Sequence, residues 1–479
     1  MTAVTTVAGL VRGVRFLTPL GELGDEQVYA SNACWYAHSS KAICGLAREG
    51  NLEHPPLGKW IMSLPMHIWG YTPFSQRILS VVFGTLTVAL LYLLARLLLR
   101  STLGATIAAG GLAVDFMAIV HSRVAMLDIY LLFFVVLAFV FLVLDRNRLF
   151  EKGRSGGTRP WRLAAGAAAG AAIATKWTGL LTLFAIAFLS FAWEDHRRRD
   201  RKKHLLVTLA EQGPSLFLTF VLVPMAVYAT TFVGHVRGAL VSWPWIEGSW
   251  LNALWERQAH IFSFHAQLIW EHQSASPPWS WPLAKRGAPF IYTPGDSIRT
   301  VVDTGNPVIW TLSIVVLIYI AFRWARRQDP REPEGVLLGG FVWAYPPWLV
   351  YSLVPFLFFT WDRSALFIWY LLPALPFMYM ALGYVAMDLV RKKIGRVVVA
   401  GVALFAVASL AFYYPVLTYA PLSRGALDAR MFAFDNCERR DHAPFIYFKK
   451  STVNGSTRFE KVEEPAAPHL TPLGWCWLP

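Results

Sequence analysis

Ten apolar runs, at about residues 75–98, 104–120, 124–144, 162–175, 179–193, 205–232, 306–323, 336–358, 364–388 and 396–413, constrain this chain more than any other feature. In a bilayer no water is present to satisfy backbone polar groups, so such runs must form helices. Short basic connections separate them: Arg146-Asn147-Arg148 to Arg162, His196-Arg197-Arg198-Arg199 to Lys203, Arg323 to Arg331, Arg391-Lys392-Lys393 to Arg396, and Arg100 in one further turn. If all of these lie on the cytoplasmic face, the runs between them come in pairs, as the bias of Lys and Arg toward that face requires. The predicted fold is therefore an all-α, polytopic helical bundle of the integral-membrane class. Only 15% of the 479 residues are charged, against about 25% in soluble domains. The net charge of +14 would suggest nucleic acid in a soluble chain. Here the bases sit between apolar runs, so the charge is topological and no nucleic-acid partner is expected.

This topology places residues 20–74, the 120–124 turn, the 175–179 turn, the 233–305 loop, the 359–364 turn and the tail from Tyr414 outside the cell. All four cysteines fall on that face: Cys34 and Cys44 in the first loop, Cys437 and Cys476 in the tail. An oxidising face suggests the bridges Cys34–Cys44 and Cys437–Cys476, although four cysteines allow three pairings and free thiols are the alternative. Within the long loop, residues 250–269 approximate helical apolar spacing, with Arg257, His260, Ser263 and Gln267 off the stripe. This predicts either a helix lying on the bilayer or a packed core helix. The run at 1–19 is interrupted by Arg12 and Arg15 and reads as a truncated first helix. The chain thus divides into that helix and a first outer loop (1–74), core spans (75–232), a long outer loop (233–305), C-terminal spans (306–413) and an outer tail (414–479).

Nearly all residues suited to chemistry lie on the outer face. Asp25-Glu26 offers a carboxylate that can take the proton of an attacking hydroxyl. A phosphate leaving group, already a stable anion, needs no second acid; a solvated loop pair is the plain alternative. His54-Pro55-Pro56-Leu57-Gly58-Lys59 has a proline-fixed backbone, and Lys59 supplies a point charge for phosphate. It reads equally as a rigid turn leading into a membrane helix. Arg77, Asp115, Arg123 and Asp128 are ionisable groups in or beside apolar runs, which mark either an ion-pair network or a functional pathway. Arg123 and Asp128, five apart, are off the three-or-four spacing of helical neighbours. Lys176, in Thr175-Lys176-Trp177-Thr178-Gly179, either snorkels to the interface or binds a lipid phosphate. Without a glycine-rich phosphate loop or zinc-type spacing, no nucleotide or metal cofactor is expected, and a lipid-borne donor fits better.

Taken together these residues resemble the protein O-mannosyltransferases, membrane glycosyltransferases of the GT-C class. The match runs through Asp25-Glu26, His54 to Lys59, Arg77, Gly84-Thr85-Leu86, Ser122-Arg123 with Leu127-Asp128, Thr175 to Gly179, and Trp369-Tyr370-Leu371-Leu372-Pro373-Ala374-Leu375-Pro376, over about residues 20–390. The resemblance implies ten to eleven spans. It further implies inverting transfer of mannose from polyprenyl-phosphate-mannose to Ser or Thr hydroxyls of secreted or translocating proteins, with a link to the secretion translocon. The site would lie on the extracytoplasmic side of the plasma membrane. By the same likeness Asp25 is the base with Glu26 beside it, His54, Pro55, Lys59 and Arg77 shape the site, and Arg123, Asp128 and Lys176 contribute to donor binding. Eukaryotic members carry a large extra domain in the long outer loop; here that loop has only about 70 residues, as in the bacterial form. Two other readings remain: a GT-C enzyme with a lipid or glycan acceptor, and a non-catalytic lipid transporter, against which stands the lack of an internal repeat.

Overall fold

A computed structural model describes the chain apart from residues 39, 46–49, 153–158, 200–204, 233–249, 267, 269–273, 294, 328, 330–331, 354–364, 432–444, 454–455 and 465–479. Cys437 and Cys476, with their expected bridge, lie outside the described residues, as does Gln267. The helices are α1 (Thr2–Gly13), α2 (Glu26–His38), α3 (Lys41–Cys44), α4 (Leu57–Trp69), α5 (Pro73–Leu99), α6 (Thr102–Ala113), α7 (Phe116–His121), α8 (Leu127–Lys152), α9 (Pro160–Thr175) and α10 (Gly179–Arg199). Then come α11 (Leu205–Phe217), a π-helical turn (Leu218–Leu222), α12 (Val223–Thr230) and α13 (Trp250–Ala266). The hairpin β1 (Ala288–Thr293) and β2 (Arg299–Asp303) precedes α14 (Pro307–Arg327), α15 (Pro333–Ala344), α16 (Pro346–Leu353), α17 (Leu375–Leu389), α18 (Lys393–Leu417) and α19 (Arg424–Met431). A second hairpin, β3 (Phe445–Val453) and β4 (Ser456–Glu464), follows.

Among the described residues seven helical segments are long and apolar enough to cross a membrane. The predicted run at 104–120 is not one helix. It breaks at Asp115, whose side chain caps α7 by accepting from Ala118 N at 2.8 Å and also takes Trp310 Nε1 (2.8 Å) and Tyr379 OH (2.5 Å). Three donors satisfy a buried carboxylate that helix propensity alone would not place there. The 336–358 run likewise splits, at Tyr345, before Pro346.

The first helix, expected as a remnant, is built into the bundle. Arg12, which interrupts its apolar run, is fully buried and serves the C-terminal end of α6. Its guanidinium donates to the carbonyls of Leu112 (3.0 Å) and Ala113 (3.1 Å) and to Ser122 Oγ (3.1 Å). Those are carbonyls that a helix end leaves without intrahelical partners. Gly84 faces this knot, and a Cβ there would overlap Ser122 Oγ and sit 3.3 Å from Arg12 Nε. The glycine of the Gly84-Thr85-Leu86 segment is thus a packing requirement.

The 233–305 loop also holds an antiparallel hairpin that the sequence reading did not predict, β1 paired with β2. Helix α13 exposes Leu251 (69%), Trp255 (73%) and Phe262 (43%) while burying Ile261. That apolar exposed stripe is what a helix lying on a bilayer presents. Arg257, expected off that stripe, is buried.

The expected Cys34–Cys44 bridge is present, with Cα atoms 5.6 Å apart, and it ties α2 to α3. Closing a loop of ten residues restricts the unfolded chain by on the order of 2–3 kcal/mol. The Cys34→Ser, Cys44→Ser double variant is therefore expected to melt several degrees lower in detergent. An unchanged melting temperature would show that the bridge adds nothing to stability.

Candidate active site

Helix α8 runs from Asp128 in its first turn to Arg146 near its end, about 27 Å at 1.5 Å per residue, close to the thickness of a hydrocarbon core. The two ends carry different chemistry. At the far end, Arg159 bonds Asp145 Oδ1 at 3.0 Å and also Glu194, and Arg197 bonds Glu194 at 3.1 Å. At the near end converge the turn before α2, the start of α4, the 121–128 segment, the 175–179 turn, the β1–β2 hairpin and the turn at Ile368–Ala374.

Asp25 occupies the N-cap position of α2, its carbonyl accepting from Val28 N and Tyr29 N, both at 3.0 Å. Its side chain is solvent-accessible and, among the described residues, makes no hydrogen bond or ion pair. Protein nonetheless crowds it. Loss of surrounding water raises its pKa above the ordinary carboxylate range, Lys176 opposes the rise, Asp128 adds to it and His121 opposes it. Its solvent access limits the extent of that rise.

Glu26, one residue on, has an opposite environment. It is fully buried and takes Arg77 in a bidentate grip, Nε to Oε1 and Nη2 to Oε2, each at 2.7 Å. Leu23 N (2.9 Å) and Ala125 N (3.0 Å) occupy its remaining acceptor sites. Arg77 in turn holds the loop before α2 through the carbonyls of Pro19 (2.6 Å) and Gly21 (2.7 Å). With every lone pair engaged, Glu26 is a brace that fixes the turn bearing Asp25 and has no capacity left for a substrate proton.

The turn from His54 to Lys59 also differs from its phosphate-clamp reading. Lys59 is fully buried, donates to Asn51 O at 2.6 Å and lies over the Tyr36 ring at 5.6 Å. Gly58 opens no space for a ligand, since a Cβ would lie 2.6 Å from Leu127 Cδ2 and 3.1 Å from Thr175 Cγ2. It lets α4 pack against the 121–128 and 175–179 segments. Pro55 is buried in the same turn. His54 lies edge-on to Tyr29 (5.7 Å) and against His265 of α13 (5.0 Å), while His265 Nε2 meets Glu53 O at 2.9 Å. Arg123 Nη1 donates to the carbonyls of Arg12 (2.9 Å) and Val14, contacts that anchor the end of α1.

Asp128 and Lys176 come together from 48 residues apart. Lys176 Nζ donates to both carboxylate oxygens, at 2.8 and 3.0 Å, and lies 5.3 Å from the Tyr370 ring centre. An ammonium has three donors, so one N–H remains for a ligand. A narrow apolar cleft runs from Asp128 between α8, α10 and α15, lined by Leu131, Val135, Phe139, Leu181, Trp343 and Phe377 among others. A charged mouth over an apolar shaft suits an amphiphile with an anionic head.

Sequence reasoning missed His121 and Asp303. His121 Nε2 and Asp303 Oδ2 are 3.0 Å apart and both side chains are fully buried. The signal was faint: a histidine directly before Ser122-Arg123, and an acid closing the outer loop ahead of α14.

Comparison with known proteins bears on this geometry. Residues 52–238 match the family described as dolichyl-phosphate-mannose-protein mannosyltransferase. Residues 250–435 match the C-terminal four-transmembrane region of protein O-mannosyltransferase. A polyprenol-phosphate-mannose–protein mannosyltransferase of Mycobacterium tuberculosis is 30% identical over 84% of each chain. One from Mycolicibacterium smegmatis is 27% identical over 88% of this chain and 90% of its own. In fold, the Saccharomyces cerevisiae Pmt1-Pmt2 complex bound to the sugar donor superimposes with a TM-score of 0.72 at 15% identity, covering 90% of this chain and 91% of the other. ArnT of Cupriavidus metallidurans bound to undecaprenyl phosphate gives 0.54 at 19%, covering 86% and 64%.

Proposed function

The chain belongs to the protein O-mannosyltransferase family, and from that premise we propose that it transfers mannose from polyprenyl-phosphate-mannose to Ser and Thr hydroxyls of secreted or translocating proteins, by inversion, at the outer face of the plasma membrane. It is a multi-pass membrane glycosyltransferase. The observation that carries the mechanism is the contrast within one dipeptide: the Glu26 carboxylate fully engaged, the Asp25 carboxylate accessible and without a hydrogen bond among the described residues. Asp25 accepts the hydroxyl proton as the acceptor oxygen bonds to the anomeric carbon. The bond from that carbon to the phosphate oxygen breaks, and its electron pair leaves with the polyprenyl phosphate. A raised pKa makes Asp25 a stronger base while it stays ionised. Lys176 faces the phosphate, and the apolar shaft below Asp128 takes prenyl chain. The Cys34–Cys44 bridge supports the outer face, because disulfides persist on the oxidising side.

The test uses membranes containing the protein, synthetic polyprenyl-phosphate-mannose and a Ser/Thr-rich peptide. Mannose is expected on peptide hydroxyls; mannose found only in lipid or glycan fractions would contradict the assigned acceptor. The same assay reads Lys176. Lys176→Gln combined with Asp128→Asn removes the cation without stranding its partner. Losing a charge-assisted contact of about 1.5–3 kcal/mol is expected to raise the KM for the donor at least about tenfold, with the KM for peptide little changed. An unchanged donor KM would remove Lys176 from the phosphate site.

A further inference from the structure

The recess around Asp25 holds more charge than the transfer reaction has used. Three carboxylates, Asp25, Asp128 and Asp303, stand near two basic groups, Lys176 and His121. Lys176 is committed to Asp128 through two contacts. The second basic group is His121 at the end of α7, held by Asp303 at the end of β2 and drawn from 182 residues away.

This pair is not constructed as a brace is. Glu26 and Arg77 fill one another's sites and those of the surrounding backbone. His121 and Asp303 share a single contact, and His121 Nδ1 and Asp303 Oδ1 carry no hydrogen bond among the described residues. A buried ion pair costs desolvation and is weak evidence for stability. An under-satisfied one retained beside a reactive carboxylate is better explained by its field. The packing supports that reading. Phe290 is the extra residue of a bulge in β1, between the paired positions Pro289 and Ile291, and bulges re-aim side chains. Its ring lies 3.5 Å from where a Cβ on Gly24 would be, next to Asp25. It also meets the His121 ring edge-on at 5.9 Å and Trp369 at 6.0 Å. The hairpin, His121 and the turn carrying Asp25 therefore form one packed unit.

We propose that His121, held as an imidazolium by Asp303, is a positioning residue that helps Lys176 keep Asp25 ionised for proton abstraction, adding a second positive charge on the side of the recess walled by Phe290. The proposal rests on the reading of Asp25 as base. The groups facing His121 are Asp303 from β2, Asp128 from α8, Lys176 after α9 and Asp25 before α2, with the rings of Phe290 and Trp369. Burial disfavours the imidazolium, yet Asp303, by its charge and hydrogen bond, and Asp128 outweigh burial and raise His121 above its ordinary value. Burial also pushes Asp303 up, so the pair titrates as a unit. The shared proton resides on the imidazole, intrinsically the stronger base.

The sign follows. A neighbouring cation favours carboxylate, so losing it moves protonation of Asp25 to higher pH and takes the ascending limb of kcat/KM with it. Mannosyl transfer to the peptide is measured between about pH 5 and 9 for the parent, His121→Gln, Asp303→Asn and Asp25→Asn. In both His121→Gln and Asp303→Asn the limb is expected to move up by about one pH unit, a loss of about tenfold on the acid side that shrinks as pH rises. Asp303→Asn acts by releasing the imidazole proton and reads the same limb should His121→Gln not accumulate. An equal loss at every pH, or an unmoved limb, overturns the role of His121. An inactive Asp25→Asn alongside an unmoved limb leaves the base standing and removes His121 alone. An active Asp25→Asn overturns the base and with it this proposal.

Discussion

Asp25→Asn is expected to lower mannosyl transfer by about a thousandfold while the protein accumulates, retains its thermal transition and binds the lipid donor. General-base catalysis contributes about 10²–10⁴-fold. The amide keeps the volume of the carboxylate but accepts no proton. Because the Asp25 side chain makes no hydrogen bond among the described residues, the substitution strands none of their partners, and its cost is expected to fall on the reaction rather than on stability. Transfer within tenfold of the parent would assign proton removal to another group. Loss of donor binding together with transfer would move Asp25 from the acceptor side to the donor side.

Glu26→Ala is expected to do the opposite. Removing that carboxylate leaves the Arg77 guanidinium buried and uncompensated, a loss of on the order of 3–5 kcal/mol, and frees the loop whose carbonyls Arg77 holds. The Glu26→Ala, Arg77→Met double variant, which removes both charges, is expected to recover part of that loss. The coupling is read from denaturation of the four proteins in one detergent. Additive losses would mean the pair is not a unit. A stable Glu26→Ala that binds donor but does not transfer would return Glu26 to the chemistry.

The two adjacent acids have different surroundings, which the sequence alone could not divide. Both stand in the same loop before α4; only the tertiary contacts of Arg77 from α5 and Ala125 N before α8 reveal which carboxylate is engaged. Other features were legible because they are local. Apolar runs predicted most helices, and the spacing of Cys34 and Cys44 on an oxidising face predicted their bridge. For Lys59 the sequence left a phosphate site and a rigid turn equally open; its hydrogen bond to Asn51 O at the buried start of α4 depends on tertiary packing that the sequence does not display. Arg12 was misread as a defect in an apolar helix because its partners lie 100 residues on, at the end of α6. His121 and Asp303 are separated by most of the bundle, so no periodicity joins them. Asp128 and Lys176 were each identified as candidates, but their direct contact depends on how α8 and α9 pack.

In the proposed mechanism the sugar moves in a single displacement, in which one carboxylate takes a proton and never bonds to sugar. The most direct measurement is the anomeric configuration of mannosyl-serine or mannosyl-threonine formed by this protein, read by NMR against the configuration of the lipid-linked donor. Inversion is predicted. Retention would require a covalent sugar–enzyme intermediate, making Asp25 a nucleophile and contradicting its assignment as base.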